Sequence, residues 1–135
     1  MMDLPIEVGV AIIIRGDTVF IARRKDGDSF SGLWEFPGGG VESEETPMDC
    51  VVREMQEEFG IDVVVVRKFE LVDYVDKKDG ARFRLHSFLC RIADGEPELR
   101  PMHSEMQWVR PEELDKYEFV PADLPIVQRL KTERV

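Results

Sequence analysis

The chain has 135 residues, a net charge of −10 and 43% hydrophobic side chains. That length suits one domain, residues 1–135, around one core, and the composition excludes a disordered chain. The acidic balance argues against a nucleic-acid backbone or an anionic membrane as partner, and no apolar run is long enough to cross a bilayer.

In chain order, 7–14 is mostly apolar and β-branched and reads as a buried strand. Arg15-Gly16-Asp17 is a turn signal, and 18–24 returns as a second strand ending in Arg23 and Arg24. The polar stretch 25–32 reads as a surface loop. Residues 33–36 resume briefly before Pro37 and a loop of three glycines. Thr46 then suits a helix N-cap, Pro47 the first helical position, Asp49 the capping-box position and Gly60 the left-handed stop. Beyond that helix, 63–66 and 69–75 read as extended, with a hairpin turn at 77–80. The long strand 81–92 sorts Phe83, Leu85, Ser87 and Leu89 onto one face and Arg82, Arg84, His86, Phe88 and Cys90 onto the other. We expect a loop over 93–104, a strand over 106–109, a short helix over 111–116 and a terminal helix over 123–131 with Asp123 as its N-cap. Strands interrupted by one central helix and followed by a late one indicate an α/β protein with a mixed sheet.

The central helix is two-sided. Met48, Val51, Val52, Met55 and Phe59 share one arc, and Glu54, Glu57 and Glu58 share another. Like charges so spaced repel by roughly 0.2–0.5 kcal/mol per pair on an exposed helix. Arg53 is the one cation on the helix. A bound divalent cation would reverse the repulsion, and Mg²⁺ prefers such hard oxygen ligands. By itself the cluster reads more simply as a solvated acidic face.

The spacing decides otherwise. Gly39, five residues, Glu45, seven residues, Arg53-Glu54-Met55, one residue, Glu57-Glu58, one residue and Gly60-Ile61 resembles the Nudix box at every specified position. The segments 33–39, 19–24 and 120–125 also resemble the MutT-like branch of that family. The resemblance implies an α/β/α Nudix sandwich around a mixed β-sheet. It implies a pyrophosphohydrolase that uses Mg²⁺ or Mn²⁺ to cleave a nucleoside triphosphate into monophosphate and pyrophosphate. Carried over residue by residue, Glu57 and Glu58 are metal ligands, Glu54 a ligand or base, and the Gly38 carbonyl a further ligand. Arg53 orients the glutamates. Glu45 is either a loop–helix stabiliser or a solvated acid.

Outside the box, Glu105 is the first candidate for an additional catalytic glutamate, with Glu98 and Glu96 behind it. Arg23 and Arg24 are candidates for substrate phosphate. His86 and His103 read as ordinary surface or loop histidines. Phe36 belongs to the core or to a base pocket. Asp123 stands where this branch reads the base. As an ionised acceptor it favours an exocyclic amine, as on cytosine; protonated, it could donate to oxidised guanine. The alternatives left open are an 8-oxo-dGTP diphosphatase, an ADP-ribose or sugar-nucleotide pyrophosphatase, a non-catalytic nucleotide-binding module and a plain cation binder. Cys50 and Cys90 form no disulfide framework, and the N-terminus carries no basic segment ahead of an apolar run. We therefore expect a soluble cytoplasmic monomer or homodimer whose partner is a small nucleotide.

Overall fold

A computed structural model describes residues 4–25, 30–133 and 135. Part of the expected surface loop, 26–29, lies outside the described residues. Among the described residues, seven strands and two α-helices follow one another as β1 (Ile6–Arg15), β2 (Thr18–Arg24), β3 (Trp34–Glu35), β4 (Gly38–Gly40), α1 (Pro47–Phe59), β5 (Asp62–Val75), β6 (Arg82–Asp94), β7 (His103–Val109) and α2 (Leu124–Thr132). The strand order is β3-β2-β1-β6-β5, with β4 on β1 and β7 on β2. β1 and β6 run parallel and the other pairs antiparallel, so the sheet is mixed.

The unbroken apolar runs 10–13 and 19–22 explain why both faces of this sheet are covered. Val10, Ile12, Val19, Ile21, Leu85 and Leu89 pack on one face with Ile126, Val127 and Leu130 of α2. Ala11, Ile13, Phe20, Ala22, Phe88 and Cys90 pack on the other with Val51, Met55 and Phe59 of α1. Successive residues of one strand thus enter different layers, as period-2 side-chain geometry requires.

α1 has the expected ends. Thr46 Oγ1 accepts from Asp49 N at 3.1 Å, and Gly60 closes the helix at φ +70°. No basic residue lies in its last turn. Arg100 supplies the missing charge from a distant loop, donating to the carbonyls of Gln56 (3.4 Å) and Glu57 (2.8 Å).

Several expectations needed correction. Met48 and Val52 are 45% and 39% exposed, so the buried arc of α1 is narrower, and Glu58 lies inside it at 4% exposure. The two extended runs after α1 are one 14-residue strand bent by register shifts. Ser87 fills one shift, accepting from Glu70 N and donating to Glu70 O. The three glycines are not a free loop: they are β4, paired with Val8–Val10. β7 begins three residues earlier than expected, at His103, because it pairs along β2 as far as Arg24. Residues Pro111–Lys116 form a 3-10 helix. Asp123 holds the expected N-cap position of α2, but its side chain makes no capping bond there, and it also closes a 3-10 turn over Pro121–Asp123.

Candidate active site

β4 divides the site into two halves. On one side lies a cavity of about 440 Å³, lined by Val8, Val10, Tyr74, Phe83 and Leu85 of the sheet, by Gly38–Gly40, and by Arg24, Glu35, Phe36, Ala122 and Asp123. On the other side lie the carboxylates of α1. A Cβ built on Gly39 would stand 2.5 Å from the Glu54 carboxyl carbon, so the glycine leaves the space that carboxylate occupies. A Cβ on Gly38 would stand 2.0 Å from the Gly9 carbonyl oxygen, so β4 can lie against β1 only without a side chain there. A larger cavity, near 590 Å³, opens by Ile14, Pro111 and Leu130 and is lined by none of the candidate residues.

Arg53 organises the acidic side. It grips Glu45 with two bonds (2.7 and 3.0 Å) and donates to Glu54 at 2.8 Å, Glu57 at 3.0 Å and the Gly40 carbonyl at 3.2 Å. Glu45 also accepts from Glu42 N at 3.0 Å, and its carboxyl is held down at about 2, first by Arg53 and then by that amide. Glu45 is therefore a loop–helix clamp and not a solvated acid. The mutual repulsion expected of Glu54, Glu57 and Glu58 is already partly answered by this one guanidinium.

Glu58 differs from its neighbours. Glu57 stays 59% exposed, whereas Glu58 is buried. Its carboxyl is raised well above the ordinary carboxylate range, chiefly by burial, then by a hydrogen bond with Glu54 and the charges of Glu54 and Glu35. Oε2 of Glu58 is buried without a partner among the described residues. An orphaned oxygen in a crowd of carboxylates fits a divalent cation: hard donors with one lone pair still unused. Glu54, Glu57, Glu58 and the Gly38 carbonyl are the groups that could hold it.

Sequence reasoning missed two residues of the site. His103 is 5% exposed, and its Nε2 meets Glu35 Oε2 at 2.9 Å and Glu58 Oε1 at 3.9 Å. A register shift causes this. β2 and β7 pair Ala22 with Met106 and Arg23 with Glu105, and then Arg24 with His103, skipping Ser104. Without the bulge, alternation from Trp108 and Met106 would aim Ser104 at α1; with it, His103 goes there and stacks on Phe59 at 5.2 Å. Glu35 is the second. One of its oxygens accepts from Arg24 at 2.8 Å and the other faces His103.

The remaining candidates separate. Arg24 lines the cavity. Arg23 donates to Glu105 at 3.1 Å and to the Gly32 carbonyl at 2.9 Å, and neither Arg23 nor Glu105 lines the cavity. Glu105 stands on β7 and not on a loop, and the β7 residue that meets Glu58 is His103. Glu96 pairs with Arg15 and Glu98 with Arg100. Phe36 is both core and cavity wall, stacked on Phe119 with centroids 5.1 Å apart. Asp123 is 3% exposed and its Oδ2 accepts from Phe36 N at 2.9 Å. Burial pushes its carboxyl up to about 8; the Phe36 amide opposes this, while the charge of Glu35 adds to it.

Residues 4–130 match the NUDIX domain family, and the chain belongs to it. It is 34% identical to the CTP pyrophosphohydrolase of Escherichia coli K12 over 91% of this chain and 89% of that protein. It is also 34% identical to the 8-oxo-dGTP diphosphatase of the same organism, over 97% of this chain and 98% of that one. Among solved structures, a MutT NUDIX hydrolase from Burkholderia pseudomallei superposes with a TM-score of 0.84 at 26% identity, covering 93% of this chain and 98% of the other. The chain is thus a MutT-like Nudix hydrolase, an enzyme that acts on pyrophosphate bonds.

Proposed function

We propose that this enzyme uses Mg²⁺ to split a nucleoside triphosphate into the monophosphate and pyrophosphate. One observation carries the reading: Gly39 lines the cavity, and the space where its side chain would stand is taken by the Glu54 carboxylate. A nucleoside in the cavity would therefore present its phosphates across β4 to the acids of α1.

Glu54, Glu57, Glu58 and the Gly38 carbonyl would hold the cation. When bound, it would neutralise phosphate oxygens that otherwise repel the attacking water. Arg53 fixes Glu54 and Glu57 beforehand. Arg24 lends the cavity a positive charge toward phosphate or sugar, though it shares that charge with Glu35. Glu54, held by Arg53 at 2.8 Å, is the group placed to take the proton of water. The water oxygen bonds to one phosphorus of the α–β bridge, the bond from that phosphorus to the bridging oxygen breaks, and the bridging oxygen leaves with the other phosphate fragment.

Asp123 speaks to the base. With its carboxyl near 8 it is neutral at pH 7, and Oδ2 is occupied by Phe36 N, so the proton on Oδ1 can be donated. A donor there suits a ring carbonyl, as on an oxidised guanine, better than the cytosine amine that an ionised Asp123 would favour. The cytidine reading retains its own support, the similarity to the CTP pyrophosphohydrolase. The charge of −10 disfavours a polynucleotide end as substrate. No helix is long and apolar enough to cross a membrane. The thiols of Cys50 and Cys90 are buried and free, which fits a reducing cytoplasm.

The test is a panel of nucleotides with Mg²⁺, assayed for pyrophosphate with and without EDTA. The expected outcome is metal-dependent pyrophosphate release, abolished in Glu58→Gln. Metal-independent hydrolysis, or full activity in Glu57→Gln and Glu58→Gln, contradicts the assigned roles. The pH profile separates the two bases: kcat/KM for 8-oxo-dGTP falls above about pH 8 if neutral Asp123 donates, and kcat/KM for CTP rises there if the carboxylate accepts.

A further inference from the structure

We propose that His103, held by Glu35, is a positioning residue that sets the Glu58 carboxylate for its metal. The inference rests on the hydrolase reading above and adds a part of this chain that lies outside the Nudix box.

Glu58 is the most enclosed of the three glutamates, yet Arg53 donates to Glu45, Glu54 and Glu57 and not to it. Beside its contact with Glu54, a second support is at hand. His103 Nε2 stands 3.9 Å from Glu58 Oε1, and both side chains are nearly solvent-free. Rotation of the ring is blocked on two sides. Its face lies on Phe59 with an interplanar angle of 25°, and Nε2 is held by Glu35 Oε2 at 2.9 Å. Glu35 is itself anchored by Arg24 through its other oxygen. The backbone is fixed as well: His103 N donates to the Arg100 carbonyl at 3.1 Å, and Arg100 grips the last carbonyls of α1. The loop that carries His103 is thereby tied to the end of the helix that carries Glu58.

The hydrogen bond to a carboxylate places the ring proton on Nε2, between Glu35 and Glu58, and leaves Nδ1 buried without a partner among the described residues. Glu58 Oε1, at 3.9 Å, is beyond hydrogen-bond reach of Nε2, so the ring, fixed by Glu35 and Phe59, acts on Glu58 as a rigid wall that limits where its carboxylate can swing before an ion arrives. The line Arg24–Glu35–His103–Glu58 also runs from the cavity wall to the metal-binding acid. The bulge puts His103, in place of Ser104, against Phe59 and beside Glu58.

Glu35, Glu58 and His103 each bring one ligand atom within 4.8 Å of the others, so the same groups could instead ligate directly. The test separates the two. Mn²⁺ is titrated into the metal-free protein and followed by electron paramagnetic resonance, with no nucleotide present. His103→Ala should weaken Mn²⁺ by about 10–100-fold, the usual effect of removing such a support. His103→Gln, which keeps an N–H toward Glu35, should recover most of that loss, and Glu35→Gln should lose several-fold. In turnover, kcat should fall with little change in KM for the nucleotide. Mn²⁺ affinity within twofold of wild type in folded His103→Ala would overturn the proposal, as would ¹⁴N coupling from His103 to bound Mn²⁺, which would make it a ligand. If His103→Ala does not fold, an unchanged affinity in Glu35→Gln overturns it equally. A wild-type protein that binds Mn²⁺ but cleaves no nucleotide would refute the proposed function and leave this inference standing.

Discussion

Replacing Asp123 with asparagine should stabilise the protein, by an amount set by pH. In the native chain Asp123 keeps its proton up to about pH 8, against an ordinary value of 3.8. Between those values the folded state holds a proton that the unfolded state has released. Stability from this group is complete below its ordinary value, declines as pH rises, and is fully lost once pH passes about 8. At 1.36 kcal/mol per pH unit, the deficit accumulated by pH 7 is about 4 kcal/mol. Asparagine avoids it: the carbonyl still accepts from Phe36 N, and the amide nitrogen takes the place of the acid's O–H. Thermal unfolding in EDTA should therefore show Asp123→Asn and the native protein alike near pH 4, with the variant ahead at pH 8 by on the order of 10 °C for a chain this size. Calorimetry at several pH values is the assay. A difference that does not vary with pH between 4 and 8 would show that Asp123 is ionised in the folded protein and that the donor role assigned to it toward the base is wrong.

Metal binding should release close to one proton at neutral pH, because the raised Glu58 must ionise to ligate; titration calorimetry in two buffers of different ionisation enthalpy measures it. Affinity for Mg²⁺ should then rise by about tenfold per pH unit through neutrality, and Glu58→Gln should abolish both effects. Gly39→Ala should leave the fold intact but push the Glu54 carboxylate aside, lowering kcat by about tenfold or more, since the atoms its Cβ meets are the end of a flexible side chain. Gly38→Ala meets backbone instead and should destabilise by about 3 kcal/mol, read as a lowered midpoint in urea. Arg53→Lys should lose about 10–100-fold in kcat, because a single ammonium cannot make the fork to Glu45 while also reaching Glu54 and Glu57.

What the sequence made legible, and what it hid, divide along a physical line. The strands over 7–14 and 18–24, the caps at Thr46 and Gly60 and the box spacing all rest on local chemistry: apolar runs, capping and spacing. Each repeats within a few residues, so each can be read without knowing what lies across the fold. The residues misplaced are of another kind. Four polar side chains are buried among the described residues: Glu58, Ser87, His103 and Asp123. Ser87 satisfies the kink in β5; the other three converge on the site. A pattern read from polarity assigns such residues to solvent, as it did with Glu58 on an acidic face and His103 in a loop. Their partners lie far along the chain, 68 residues from His103 to Glu35 and 87 from Asp123 to Phe36. Burying a carboxyl or an imidazole is costly unless those partners are in place. A fold that accepts the cost three times in one small region is holding groups ready for something it does not itself supply. The unused oxygen of Glu58 and the neutral acid of Asp123 are two such groups, one turned to a cation and the other to a base.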